Sequence, residues 1–297
     1  MRPMPRLLTM LLLMAPLAAA ADCPPGGWDR DALAALKAEG FAGLAPARRD
    51  ALAIDLLACL GDPDPTLRDG IAYEAMASWL RADPPLSHAT REALLDALLP
   101  RLSVRDDAGF EAPFAALVLS EVARTDRIAP WLAPARRAGL VEAAAAYVEG
   151  VRDYRGFTDG EGWRHGVAHG ADLLMQLAMN PALDKPQLSR LLQAVSAQVA
   201  PVAAPPYVHG ESERLVRPVL FVLQRGLHDD GEWRAWISGL VAPAADAAGP
   251  YGSEAALARR HNQRGFLLAL YVALDASGSE ALQARVPAVL DGLRALP

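Results

Sequence analysis

Helix-forming segments in this 297-residue chain come in pairs, and the pairs recur. The leading segments read ARRDALAIDLLACL (47–60), REALLDALLPRL (91–102), RAGLVEAAAAYVEG (137–150), QLSRLLQAVSAQVA (187–200) and EWRAWISGLVA (232–242). The following ones read LRDGIAYEAMASWL (67–80), PFAALVLSEVARTD (113–126), WRHGVAHGADLLMQLA (163–178), ERLVRPVLFVLQRG (213–226) and QRGFLLALYVALD (263–275). Each sets apolar residues three and four apart, the mark of an amphipathic helix. Alanine and leucine dominate, β-branched residues are scarce, and no run alternates as a strand would. The chain is expected to be all-α.

The spacing narrows the architecture. Arg68, Phe114, Arg164, Arg214 and Arg264 hold similar places in successive second segments, at intervals of 46, 50, 50 and 50. Helix pairs that recur at about 40–47 residues are the signature of HEAT-like arrays, and these intervals are slightly longer. The expectation is a HEAT-like array of antiparallel helix pairs, an α-solenoid, in which stacking buries a core no single pair could bury. An irregular all-α domain and an α/α toroid are the other architectures this pattern allows. Residues 22–297 read as one such helical domain.

The first 21 residues read as a secretory signal peptide. MRPMPR is basic, LLTMLLLMAPLAAA is apolar but short for a bilayer span, and Ala19-Ala20-Ala21 suits cleavage. Asp22 precedes Cys23 where a lipoprotein would need a small residue. The expected location is therefore periplasmic or secreted, with no membrane span after the signal is removed. Losing Arg2 and Arg6 takes the formal charge from −6 to −8. An acidic chain repels phosphate backbones, which argues against a nucleic-acid partner. In an oxidising compartment Cys23 and Cys59 either form a disulfide or remain as an exposed and a buried thiol.

The loops between paired helices carry the polar chemistry, notably GVRDYRGFTDGEG (150–162), PVAAPPYVHGES (201–212) and AGPYGSE (248–254). Such loops are the usual place for binding groups. At about 100° per residue, His165, His169, Asp172 and Gln176 form one stripe of their helix, with Trp163, Val167, Ala171 and Leu174 nearly opposite. The stripe is expected to face away from the core, either simply solvated or lining a groove. Asp153, Arg155 and Asp159 in the preceding loop either contact a ligand or pin the loop by pairing. His209, Glu211 and Arg214 approach from the next pair, with Glu211 suited to a helix start and Arg214 in need of a carboxylate partner. Asn262 and Arg264 open the last strong segment.

Two histidines one turn apart with Asp172 also suit a divalent metal, the alternative cofactor expectation for a chain otherwise expected to need none. The zinc-peptidase version is excluded, because Gly166 stands where the water-activating glutamate belongs. Nucleophile-elbow, phosphate-loop and dinucleotide-loop patterns are absent. Whether the chain is an enzyme stays open. The two readings are a groove that binds a ligand or protein partner and a metal-dependent hydrolase built on His165, His169 and Asp172.

DPDPTLRDGIAYEAMASWL, PFAALVLSEVARTD, DYRGFTDGEGWRHGVAHGADLL, HGESERL and NQRGFLLALYVAL follow one another in order. Together they resemble a family of bacterial proteins known only as domain of unknown function 2785, over about residues 30 to 295. The segment GW-x-H-x-x-x-H-x-A-D-L-L is the most specific part of that resemblance. It implies an all-α fold and carries no catalytic residues over.

Overall fold

A computed structural model describes residues 22–202, 204–242, 249 and 251–297. The leader expected over residues 1–21 lies outside these residues, as do residues 203, 248 and 250 of the polar loops. The described chain is mostly helical. Helix α1 spans Arg30–Ala38 and α2 spans Pro46–Asp55, followed by a 3₁₀ turn over Leu56–Cys59. Cys59 is buried there and bonded to Cys23, so both cysteines of the chain are paired. A short α3 (Pro65–Leu67), a π-helical turn (Arg68–Tyr73) and α4 (Glu74–Arg81) form one continuous rod.

Helices α5 (His88–Leu98), α6 (Glu111–Ile128), α7 (Pro134–Gly150), α8 (Gly166–Ala178), α9 (Lys185–Val199), α10 (Glu211–Gln224), α11 (Asp230–Val241) and α12 (Glu254–Asp275) follow. The chain closes with α13 (Glu280–Gln283) and α14 (Val286–Ala295). Their starts obey local chemistry. Asp184 and Asp229 form capping boxes with Gln187 and Glu232, Ser87 and Ser253 cap α5 and α12, and Pro134 occupies a first turn where it costs no hydrogen bond.

Alternate helices pack on one another. Helix α4 lies on α6, α6 on α8, α8 on α10 and α10 on α12, while α7 lies on α9 behind them. Polar contacts join like ends. Asn180, just past α8, donates to Asp126 near the end of α6, and Arg225 after α10 donates to the Asn180 carbonyl. Thus α6, α8 and α10 run in the same direction. One cluster of buried apolar side chains extends from Leu33 to Val289. No helix among the described residues is long and apolar enough to cross a membrane.

Two expectations need correction here. The residues that mark the recurrence do not share a place. Arg164 lies before α8, Arg214 lies in the first turn of α10, and Arg264 is exposed halfway along α12. Arg68 and Arg164 instead share one ring, their guanidinium groups 3.8 and 4.3 Å from the centre of Phe110. Equal spacing along the chain measured summed helix and loop lengths, and α12 starts a full nine residues before its expected first residue (263 against 254). The chain also contains strand: β1 (Phe157–Thr158) pairs antiparallel with β2 (Gly162–Trp163) in a small hairpin. Its residues were expected to be loop and helix.

Candidate functional site

The hairpin is held by two buried arginines. Arg68 Nη2 donates to the Glu161 carbonyl at 2.7 Å, and its Nη1 donates to the Asp62 carbonyl at 2.8 Å. Arg164 donates to the Ala108 carbonyl, Thr158 Oγ1 and Glu161 Oε2. Both guanidinium groups lie over the Phe110 ring, a cation–π contact for each. The π-helical turn is what delivers Arg68 to the hairpin, and such turns interrupt helices mostly where function asks for it.

So fixed, the hairpin presents aromatic surface. Phe157 is 47% exposed and Trp163 is 38% exposed, with ring centres 5.0 Å apart. Trp163 stacks on His165 at 4.3 Å and 14° between planes. Trp163 therefore leaves the helix face assigned to it and sits outside α8, on the open side. His165 caps α8 with left-handed backbone angles, φ 57 and ψ 36. A non-glycine residue there is uncommon and costs about 1–3 kcal/mol, a strain that collects at functional positions.

Behind His165 the stripe enters the core. His169 is 5% exposed and meets the Phe114 ring edge-on at 5.2 Å, and Asp172 is 8% exposed. This overturns the outward-facing stripe. A helical wheel assumes one buried side, whereas α8 has α6 on one flank, α10 on the other and α7 behind. The close backing on α7 explains the two His-Gly steps. A methyl group at Gly170 would come within 2.6 Å of Val148 Cγ2, and the Tyr147 hydroxyl donates to the Gly166 carbonyl.

The second set of expected residues does converge on the first. His209 meets Trp163 at 5.9 Å and His165 at 6.4 Å between ring centres. Gly156 makes room for it, since a Cβ there would lie 2.2 Å from His209 Nδ1. Glu211, the buried first residue of α10, accepts the His209 backbone N–H at 2.8 Å. Asn262 steadies the loop upstream, accepting from Tyr207 N–H and donating to the Pro205 carbonyl. Arg214 reaches Asp172 at 3.0 Å, the aspartate partner its apolar helix demanded, and Arg217 stands 3.6 Å from the same carboxylate.

Other expected residues stay apart. Asp153 and Arg155 pair at 2.5 Å, and Arg155 also donates to the Asp107 carbonyl, so they pin the loop. Asp159 is exposed at the tip of the hairpin. His165, His169 and Asp172 do not form a metal-ligand set. Asp172 is committed to two arginines, His169 faces Phe114, and the described residues contain no group of three His, Cys, Asp or Glu that could hold a metal ion.

Several neighbours had not been singled out. Phe157, Arg217, Tyr73, Arg81 and Glu121 border the same region. Glu121 is buried in α6 and takes Arg81 Nε at 2.8 Å. A lone carboxylate in FAALVLSEVA and two arginines three apart in RLVR were readable signals, because each needs a partner in an apolar helix. The electrostatics follow from burial. Desolvation, aided by Arg214, pushes His165 down to about 4 and His169 down to about 3, so both rings are neutral at ordinary pH. Burial also raises the Asp172 carboxyl, against the pull of Arg214 and Arg217.

A family described as "Protein of unknown function (DUF2785)" matches residues 98–272, more than half of the chain. The chain belongs to that family. The DUF2785 match spans the hairpin, α8, α10 and most of α12, so every residue of the aromatic and charged cluster except Tyr73 and Arg81 lies inside it. No curated protein and no solved structure matches the chain.

Proposed function

We propose that this DUF2785 protein is an exported, HEAT-like array of helix pairs that binds a ligand in a polar groove. The seat is the space framed by Phe157 and Trp163 on the hairpin, His165 and His209 at its mouth, and Arg214, Arg217 and Asp172 on its floor. One observation carries the reading. Trp163 is kept exposed and stacked on a histidine whose backbone is strained, an arrangement the fold does not need for packing. The Cys23–Cys59 bridge supports export to the periplasm or beyond, since such bonds persist in oxidising compartments. Asp172 is committed to two arginines, which suits a binding floor better than an acid–base pair.

The test is a thermal-shift screen of the chain lacking residues 1–21 against sugars, hydroxy acids, amino acids and short peptides. A ligand present at a hundred times its Kd stabilises by about 2.7 kcal/mol, enough to move a melting temperature by several degrees. At least one compound is expected to shift the wild type and to leave Trp163→Ala unmoved. Compounds that shift both proteins alike would place the seat elsewhere.

A further inference from the structure

The groove also indicates what kind of molecule fills it. His169 is almost wholly buried, and its Nδ1 has no hydrogen-bond partner among the described residues. His165 Nδ1 is in the same condition, with the two ring centres 5.8 Å apart. A buried polar atom left unpaired costs about 1–3 kcal/mol, so two side by side mark a place that expects polar company. A neutral imidazole nitrogen either donates or accepts, and a hydroxyl can meet it in either sense, so a hydroxyl is the partner that suits both rings.

Charge supplies the second requirement. Arg214 and Arg217 share the single carboxylate of Asp172, while Arg81 and Glu121 cancel each other. Arg217 is half-exposed and stands 3.6 Å from a carboxylate that Arg214 already holds at 3.0 Å, so it is the cation best placed to meet a monoanion. A zwitterionic amino acid would bring its ammonium to two guanidinium groups, with the only nearby carboxylates already engaged. The third requirement is a flat apolar face, for which Trp163 and Phe157 form the platform. A planar aromatic acid would satisfy the platform and the arginines but would bring no hydroxyl to the imidazoles. His169 and Asp172 lie three residues apart on α8, about 4.5 Å along the helix axis, which is the scale of one sugar ring.

Building on the groove reading above, we propose that the ligand is an acidic sugar of the hexuronate class. Its carboxylate pairs with Arg217 and Arg214, a ring hydroxyl pairs with His169 Nδ1, and its apolar face lies on Trp163. The probes are glucuronate and galacturonate, titrated calorimetrically into the chain lacking residues 1–21, with glucose and acetate as controls. At least one uronate is expected to bind ten or more times tighter than glucose and acetate. Arg217→Gln, at an exposed position, should weaken that binding at least tenfold while leaving the melting temperature unchanged, and Trp163→Phe should weaken it less than Trp163→Ala. Equal binding of glucose would remove the carboxylate contact, equal binding of acetate would remove the ring, and either result overturns the proposal. Absence of saturable binding of both uronates up to about 1 mM overturns it too. If another compound then proves Trp163-dependent in the thermal screen, the seat stands and only the sugar acid fails. If none does, both readings fall together.

Discussion

His165 and His169 are four residues apart and do opposite work. His165 sits at the mouth of the groove on a strained backbone, and His169 is packed against Phe114 within the helical layer. Their depressed basicity has a consequence for acid stability. Below about pH 6.5 the unfolded chain takes up protons on both rings, and the folded chain refuses them until about 4 for His165 and about 3 for His169. Stability is therefore full above 6.5 and falls as pH drops through that window, by at most about 1.4 kcal/mol per pH unit for buried His169. Half-buried His165 contributes less, because solvent screens it. The raised Asp172 carboxyl acts the other way, holding a proton in the folded state where the unfolded chain has released it, and so softens the fall. Urea unfolding from about pH 7 to about pH 5 should show wild-type stability declining, with a shallower slope for His169→Gln. Identical slopes would show that His169 takes up its proton equally in the folded and unfolded chain, against the depressed basicity.

Helix α8 shows how far an element can be read from its own residues. Its existence, its end and its apolar side were legible in GVAHGADLLMQLA, because three- and four-residue spacing is a local property. Its first residue was not. Trp163, Arg164 and His165 look like helix, yet the hairpin's hydrogen bonds from Arg164 N–H to the Gly156 carbonyl and from His165 N–H to the Arg155 carbonyl take them out of it. Its second buried side was also hidden, since that side is made by Phe114 of α6 and Arg214 of α10, residues distant in sequence. The glycines distinguish the sides directly. Gly170→Ala drives a methyl group into Val148 and Tyr147 of α7 and should cost about 1–3 kcal/mol in denaturant unfolding. Gly139→Ala, at an exposed position of α7 with open space around it, should instead stabilise by about 0.5–1 kcal/mol. A harmless Gly170→Ala would mean that α7 and α8 are not in close contact.

At the scale of the whole molecule, alternate helices in one layer bring residues from four segments to one place. Asp172 comes from α8, Arg214 and Arg217 from α10, Glu121 from α6, and Tyr73 from the π-helical turn. The convergence of His209 and Arg214 on the α8 stripe was legible because polar residues collected in two consecutive loops and helix starts. The contributions of Tyr73 and Arg81 were not, since nothing local distinguishes a groove-lining side chain from a surface one. The disulfide ties the N-terminal tail to this body across 36 residues. In chain-entropy terms a loop of that size is worth about 4 kcal/mol.

On the groove reading, the fold holds His165 in a costly conformation for a ligand and packs the ring of His169 into the core, keeping only its Nδ1 for that ligand. Unfolding free energies of His165→Asn and His169→Ala, measured side by side, test it most directly. Asparagine adopts the left-handed region more readily than histidine, and truncating a buried ring leaves a cavity. His165→Asn is expected to equal or exceed the wild type, and His169→Ala to lose about 2 kcal/mol or more. Comparable losses in the two variants would contradict it, because His165 would then be holding the fold together and the groove would have no residue set aside for a ligand.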